Sequence, residues 1–473
     1  MAQRQSVEFR RYAVRIARTS GLTMRQVASD LGIGLSTLGK WVRAVADEAK
    51  VPEQDAELLR KNERLRKENR ILKDLSGNMV FKYKNLPRPT GRWHSRVKRS
   101  MTALVLILAT VLVVGVGFLF AISPGRPAPL RDASGEVIPG SLSERVTVEI
   151  GGISQSMIIQ SVDPANPVLL FLHGGPGMPE FFMEQDYPTG LERHFTMVWW
   201  EQRGAGMSYS ADIRPETMTM AQMISDTIEV ADYLRERFGQ DRILLLGHSW
   251  GSYLGIQVAA QAPDRFLAYV GMAQIVHQIR SEVMAHDYLL GAYRARGDAA
   301  MVRRLEAAPV SMEDGLSPAS MRLRDAAMHG AGVGHTRDIN SVITGIFLPV
   351  WRVRAYTMAD KINVWRGKLW SRPFFWEDML RDDLSTRLTK FQLPIYFFVG
   401  QYDQTANPTL SRAYFDVIEA PVKGFYVFEN SAHSPLFEEP ERAMRILLQD
   451  VLPGTNVLAD AAGQASRRFG NDE

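Results

Sequence analysis

Three residues far apart in the chain have the types needed for nucleophilic hydrolysis: Ser249, Asp403 and His433. A serine hydroxyl attacks a carbonyl well only when a histidine takes its proton. The histidine in turn needs a carboxylate to hold its tautomer and stabilise the imidazolium. Ser249 lies in Gly247-His248-Ser249-Trp250-Gly251, a Gly-x-Ser-x-Gly pentapeptide. Such pentapeptides are common by chance, so the setting carries the meaning. The apolar run 243–246 precedes it and a helical pattern over 253–262 follows. Strand, tight turn and helix form the context in which a serine is held in strained backbone, with Gly247 and Gly251 allowing close packing.

Downstream of Ser249 an acid and a histidine each follow a strand, Asp403 first and His433 second. Residues 395–400 read as a strand, and Asp403 stands just past its end. Residues 424–428 read as the last strand, and His433 lies in the loop after it. Both therefore fall on the carboxyl edge of a sheet, where the serine is. The remaining candidates His194, His277, His286, His329 and His335 have no such strand-end setting, and His248 sits inside the pentapeptide. Charge developing on a substrate oxygen needs two N–H donors. One is expected from Trp250, the residue after the serine, and the other from Gly174-Gly175, where missing side chains let a carbonyl approach.

The elements that must position these groups alternate. Residues 146–150 and 154–160 read as a β-hairpin around Gly151-Gly152, followed by strands over 167–172 and 196–200 and an amphipathic helix over 220–238. This predicts a mainly parallel α/β sheet covered on both faces, with ligands at the carboxyl ends of its strands. Residues 277–388 break the pattern with helical segments and the aromatics Tyr288, Phe347, Trp351, Trp365, Trp370, Phe374, Phe375 and Trp376. They read as a helical cap between the sixth and seventh strands, its aromatics mostly core with a few lining an apolar pocket.

His173-Gly174-Gly175-Pro176-Gly177, Gln202-Arg203-Gly204 and Gly247-His248-Ser249-Trp250-Gly251 come in an order and spacing that resemble the prolyl iminopeptidase-like branch of the α/β-hydrolases. The resemblance covers roughly residues 140–455. It implies the α/β-hydrolase fold with a helical cap, and a serine peptidase that removes an N-terminal residue, often proline, through an acyl-enzyme. On that resemblance Ser249 attacks, His433 is base then acid, Asp403 orients it, and Gly175 joins Trp250 in holding the oxyanion. His173 is implied to be a structural hydrogen-bonder, with Gly174, Pro176, Gly247 and Gly251 supporting the loops. No metal or cofactor is called for. An aminopeptidase must also pair the substrate ammonium with acids. Glu180, Glu282, Glu313 and Asp314 are candidates, and no motif selects among them. Glu201 stands where the family usually has aspartate. The nearest alternative is an esterase or lipid hydrolase with the same triad. Epoxide hydrolases and dehalogenases of this fold need an aspartate where Ser249 stands.

The chain of 473 residues has 45% hydrophobic and 23% charged residues, as expected of globular domains. It has no cysteine, which excludes disulfides, thiolate metal sites and a cysteine nucleophile. Residues 1–100 hold 23 Lys+Arg against 10 Asp+Glu, so with the whole chain at +4 the remainder is net acidic. Residues 7–19 read as a helix, Thr23 and Gln26 as a capping box opening a second, Gly32-Ile33-Gly34 as a turn, and Ser36 as the cap of a third. This is a helix-turn-helix pattern within residues 1–50, and with its basic surplus it predicts DNA contact through residues 7–46. Leu58, Asn62, Leu65, Asn69 and Leu72 within 55–75 suggest a short coiled coil and a dimer through 58–72. Residues 1–75 resemble the small N-terminal protein of insertion-sequence transposases, which implies DNA binding at most.

A basic linker over 76–100 leads to 22 uncharged residues, 101–122, long enough to span a bilayer. The positive flank predicts an uncleaved transmembrane anchor with residues 1–100 cytoplasmic and the hydrolase outside. The run is longer than a usual signal core, and no clear small-residue cleavage site follows. Met79 offers a second start, which makes residues 1–78 a candidate transposon-derived fusion or translation-start artefact. The remaining divisions are a linker over 123–140, core over 141–276, cap over 277–388, core over 389–455 and a flexible tail over 456–473.

Overall fold

The computed structural model describes residues 7–46 and 91–462, in two compact units, Met1–Leu106 and Ile107–Glu473. In the first unit, helices Val7–Thr19, Met24–Asp30 and Leu35–Ala46 bury Ala13, Val27, Ala28 and Leu38 between them. The expected capping box is present: the Thr23 side chain accepts from the Gln26 N–H, and Gln26 Oε1 accepts from the Thr23 N–H at 3.0 Å. The third helix corrects one expectation. It starts at Leu35, and the Gly34 carbonyl accepts from Thr37 and Leu38, so Ser36 lies within the first turn and does not cap it. The coiled coil expected over 58–72, residues 76–90 of the linker expected over 76–100, and Met79 lie outside the described residues; residues 91–100 of that linker are corrected to helix, continuous with the apolar segment.

A helix spans Gly91–Ala121. Its stretch Ser100–Ala121, with mean hydropathy 2.9, is long and apolar enough to cross a membrane, and all its residues but the half-buried Leu119 are exposed.

In the second unit the hairpin strands β1 (Leu142–Ile150) and β2 (Ile153–Ser161) turn at Gly151 and Gly152, both with positive φ, as a two-residue hairpin turn requires. There follow β3 (Val168–Leu172), β4 (Thr196–Glu201), β5 (Ile243–His248), β6 (Phe266–Met272), the small hairpin β7 (Val310–Ser311) and β8 (Gly315–Leu316), then β9 (Ile395–Gly400), β10 (Lys423–Phe428) and β11 (Ala461–Ala462). Among the described residues one sheet has the order β1-β2-β4-β3-β5-β6-β9-β10-β11. Its six central strands run parallel, with β1 and β2 antiparallel at one edge and β11 antiparallel at the other.

Strands β3, β5 and β9 are buried along their whole length, which explains their unbroken apolar runs. Alternate side chains feed two cores. Leu170, Leu245 and Phe397 join Trp250 and Leu254 of the helix Trp250–Gln261 on one face. Phe171, Leu246 and Phe398 join Leu436, Phe437 and Ile446 on the other.

Between β6 and β9 stand the helices Gln278–Ala295, Ala299–Glu306, Pro318–Ala331, Leu348–Arg352, Met358–Arg381 and Leu384–Arg387 with the β7–β8 hairpin, over a small core of their own around Leu289, Leu305 and Leu323. The expected cap is thus helical with one added hairpin. Of its aromatics Phe375 is core, while Tyr288 and Phe347 are exposed. The long helix Met358–Arg381 is fastened at its start. Lys361 Nζ donates to Ser123 Oγ at 2.7 Å, to the Ile122 carbonyl at 3.2 Å and to the Trp351 carbonyl at 2.7 Å, and Arg145 of β1 donates to Asp360 Oδ2 at 2.5 Å.

The tail is not frayed over its described part. The buried Asp450 carboxylate accepts from the N–H groups of Val457 and Leu458 at 2.8 and 2.7 Å, Asp460 accepts from Val427 N–H, and β11 pairs with β10. Residues 463–473 lie outside the described residues.

Candidate active site

Ser249 follows β5 with φ 53° and ψ −118°; among the described residues it and Ala273 are the non-glycine residues with positive φ. Such backbone costs roughly 1–3 kcal/mol and persists where surrounding bonds hold it. Here the Ser249 N–H donates to the Met272 carbonyl at 3.0 Å, and its own carbonyl accepts from Ser252 N–H at 2.8 Å and Ser252 Oγ at 2.6 Å. Both flanking glycines are forced. A side-chain carbon on Gly247 would lie 2.3 Å from Gly251 O, and one on Gly251 would lie 2.0 Å from Leu172 O.

His433 Nδ1 lies 2.9 Å from Asp403 Oδ2. Asp403 is fully buried, and its Oδ1 accepts the N–H groups of Thr405 at 2.7 Å and Ala406 at 3.0 Å. With both oxygens engaged, the carboxylate is fixed facing the imidazole. Ser249, His433 and Gly175 line one cavity of about 160 Å³. Asp403 thus meets His433, 30 positions further on, and His433 shares a cavity with Ser249.

Gly175 has φ +124°, and a side-chain carbon there would meet Gly177 N at 2.6 Å and Met178 N at 2.7 Å. On Gly174 it would lie 2.9 Å from Glu180 Oε1 and 3.3 Å from Ser249 Cβ, so this loop passes directly beside the serine. Beneath it His173 Nε2 accepts the Gln202 N–H at 3.1 Å, which leaves the hydrogen on Nδ1 to donate to the Gly174 carbonyl at 2.8 Å. Burial pushes the His173 pKa down to about 4, which suits this neutral, structural role. Gln202 Oε1 accepts from the indole of buried Trp250 at 2.9 Å. The neighbouring Arg203 is buried and donates through Nε and Nη2 to Asp226 at 2.7 and 3.0 Å, with Nη2 also on the Gly151 carbonyl at 2.8 Å. Glu201 is buried too. It accepts from Met207 N–H and the Tyr356 hydroxyl, and burial pushes its pKa up to about 8.

Sequence reading passed over a second cluster. His248 Nε2 lies 2.8 Å from the His433 carbonyl, and His248 Nδ1 lies 2.9 Å from each Glu180 oxygen. Burial works against both charges, but each partner outweighs it for the other: the His248 pKa is raised and the Glu180 pKa lowered. His335 stacks on Phe182 and lies 5.8 Å from His248 and 6.3 Å from His433, ring to ring. Burial drives its pKa down to about 3. His248 ends β5, Glu180 and His335 stand on separate loops, and no local motif joins them. His335 and His329 nevertheless both line the cavity.

The acids proposed for a substrate amine are sorted by the fold. Glu180 lines the cavity, Glu282 is buried against Arg324 at 2.7 Å, and Glu313 and Asp314 are exposed at the β7–β8 turn.

A family profile described as alpha/beta hydrolase fold matches residues 167–440, and one described as transposase matches residues 1–70. A probable aminopeptidase of Bacillus subtilis (strain 168), YbaC, is 32% identical over 295 residues, covering 62% of this chain and 91% of that protein. A proline iminopeptidase of Saccharolobus solfataricus is 24% identical over 311 residues, covering 63% and 89%. The crystal structure of a Mycobacterium smegmatis proline iminopeptidase aligns with TM-score 0.47 at 19% identity, covering 65% of this chain and 97% of that one. The hydrolase profile spans more than half of the chain, over the parallel strands and the loops built above, and the chain belongs to the α/β-hydrolase fold family.

Proposed function

We propose that the chain is a serine hydrolase of small peptides or esters, with Ser249 as nucleophile, His433 as general base and acid, and Asp403 as the group that orients it. The observation that carries this reading is the 2.9 Å contact between His433 Nδ1 and Asp403 Oδ2, made beside the cavity that Ser249 lines. With Nδ1–H donating to Asp403, Nε2 is left to accept the serine proton. Ser249 Oγ then bonds to the substrate carbonyl carbon, and the oxygen gains charge against the N–H groups of Gly175 and Trp250. Collapse expels the leaving amine or alcohol, protonated by His433. Water, deprotonated by the same nitrogen, releases the acyl group.

Removal of an N-terminal residue is the finer reading. It is supported by the names of the relatives and by Glu180, whose Oε1 lies beside Gly174 as Ser249 does. Each carboxylate oxygen has a lone pair left for a substrate ammonium while it accepts from His248. Ser249→Ala should lose fluorophosphonate labelling and nearly all turnover. Retained turnover would reject the assignment, and comparison of a prolyl arylamide with a short-chain ester separates peptidase from esterase.

Two further readings concern the N-terminal part. The exposed apolar stretch Ser100–Ala121, preceded by Lys82, Lys84, Arg88, Arg92, Arg96, Lys98 and Arg99, supports an uncleaved anchor with the hydrolase outside the cytoplasm. Protease protection in sealed vesicles tests it. The three-helix unit and its transposase-type profile support DNA contact through residues 7–46, tested by salt-dependent binding to a duplex.

A further inference from the structure

The cavity that holds Ser249 is also walled by two cap helices, Pro318–Ala331 and Met358–Arg381, which bring Arg324, Lys368 and Arg372 to it. Their charges are unequally matched. Arg324 Nε donates to both Glu282 oxygens at 2.9 and 2.7 Å, and its Nη1 reaches Asp325 at 3.3 Å, so two carboxylates attend this one cation. Among the described residues neither Lys368 nor Arg372 has a carboxylate within 4.0 Å. Arg372 Cζ lies over the Trp376 ring, 4.3 Å from its centroid, and Met321 sulfur, a weak acceptor, is 3.4 Å from Nη2. Lys368 stands four residues earlier on the same helix, hence on the same face. Three cations against Glu282 and Asp325 leave one positive charge over, while Glu180 is matched by His248.

Burial lowers the pKa of both Lys368 and Arg372, with repulsion from Arg324 adding to it and Asp325 opposing. Burial works to raise Asp325, but Arg324 and Lys368 hold it below the usual carboxylate range, so it stays ionised and the surplus remains as counted. A partly buried, unmatched pair of cations is costly alone and favourable around an anion.

We propose that Lys368 and Arg372 form an anion subsite that binds a carboxylate carried by the substrate, away from the bond that is broken. This deepens the serine-hydrolase reading and rests on it for the reaction, though not for the binding. The carboxylate has two sources, the C-terminus of a dipeptide or the far end of a dicarboxylic monoester.

Two matched pairs of substrates test it with the full-length chain: a prolyl dipeptide against its C-terminal amide, and mono-p-nitrophenyl glutarate against p-nitrophenyl pentanoate. A kcat/KM ratio of about ten or more in favour of the carboxylate member is expected in one pair, from the strength of a charge-assisted contact. That pair names the source. In Lys368→Met/Arg372→Met the ratio should fall towards one, with Lys368→Gln as the milder variant if the double one misfolds. Ratios near one in both pairs, or a ratio that survives substitution, would overturn the proposal. Calorimetry of glutarate with the Ser249→Ala chain reads the subsite without the reaction. Binding that weakens at least about tenfold in the Lys368→Met/Arg372→Met background supports it, and absent or unaltered binding overturns it. If Ser249 resists fluorophosphonate and no substrate turns over, the catalytic reading fails and the glutarate titration alone decides the subsite.

Discussion

The imidazole of His248 donates from Nε2 to the main-chain carbonyl of His433 at 2.8 Å, so one histidine of the serine turn braces the loop that carries another. Glu180 completes the brace at Nδ1. Glu180→Gln should loosen His433 without touching Asp403. A misplacement of about 1 Å at a reacting group costs on the order of 10²-fold in rate. With a short-chain ester, which has no ammonium for Glu180 to pair with, steady-state kinetics should show kcat down roughly ten- to a hundredfold and KM little changed.

Asp403→Asn should be more severe. The amide oxygen can keep the N–H groups of Thr405 and Ala406, which turns the amide NH2 towards His433 Nδ1. The imidazole must then accept at Nδ1 and carry its hydrogen at Nε2, where it cannot take the serine proton. A loss of about 10⁴ in kcat is expected from a wrong tautomer of this kind. Fluorophosphonate labelling of Ser249 should slow in parallel, and an unchanged labelling rate would contradict the role given to Asp403.

Glu201 predicts a pH effect on stability. Its folded pKa of about 8 lies above its ordinary value, so the folded chain holds a proton that the unfolded chain has released. Its stabilising contribution is full below the ordinary carboxylate range and is lost as pH rises through about 8. Glu201→Gln keeps an acceptor for Met207 N–H and offers an NH2 to Tyr356. The melting temperature of this variant should be flatter between pH 5 and pH 8 than that of the parent, on the order of a few degrees.

Cutting the chain after residue 455 should destabilise it. Asp450 is fully buried and would lose the donors at Val457 and Leu458, and Val427 N–H would lose Asp460. Donors lost from the buried Asp450 carboxylate, which keeps the Tyr426 and Thr455 hydroxyls, cost about 1–3 kcal/mol, and the exposed Val427 N–H adds little. A drop of several degrees in melting temperature is expected, where a truly frayed tail would give none.

How much of this was legible in the sequence depended on range. The helix Met220–Phe238 and the Thr23 capping box are set by neighbours within a few residues, and sequence reading located both. The strand-end positions of Asp403 and His433 followed from the apolar runs that precede them. The Glu180–His248–His433 chain of contacts did not, because its members meet only when two loops converge on the end of β5. The tail misled for a similar reason: Ala461 and Ala462 are weak strand formers alone, and only the free edge of β10 and the oxygens of Asp450 give 456–462 a conformation. Glu282 looked available for an ammonium until Arg324, 42 residues on, was seen to occupy it.

The fastening of Lys361 to residues 122 and 123 makes the helix Met358–Arg381 a beam with one end clamped. Lys368 and Arg372 stand seven and eleven residues along it, about 10 and 16 Å at the rise of an α-helix. The attachment of the apolar segment and the selection of substrate charge are thus two loads on one beam. A shortened form that begins downstream of Ser123 would take two of the three acceptors from Lys361 and leave the Trp351 carbonyl and the Arg145–Asp360 pair, whereas one that keeps Ile122 and Ser123 would keep them all.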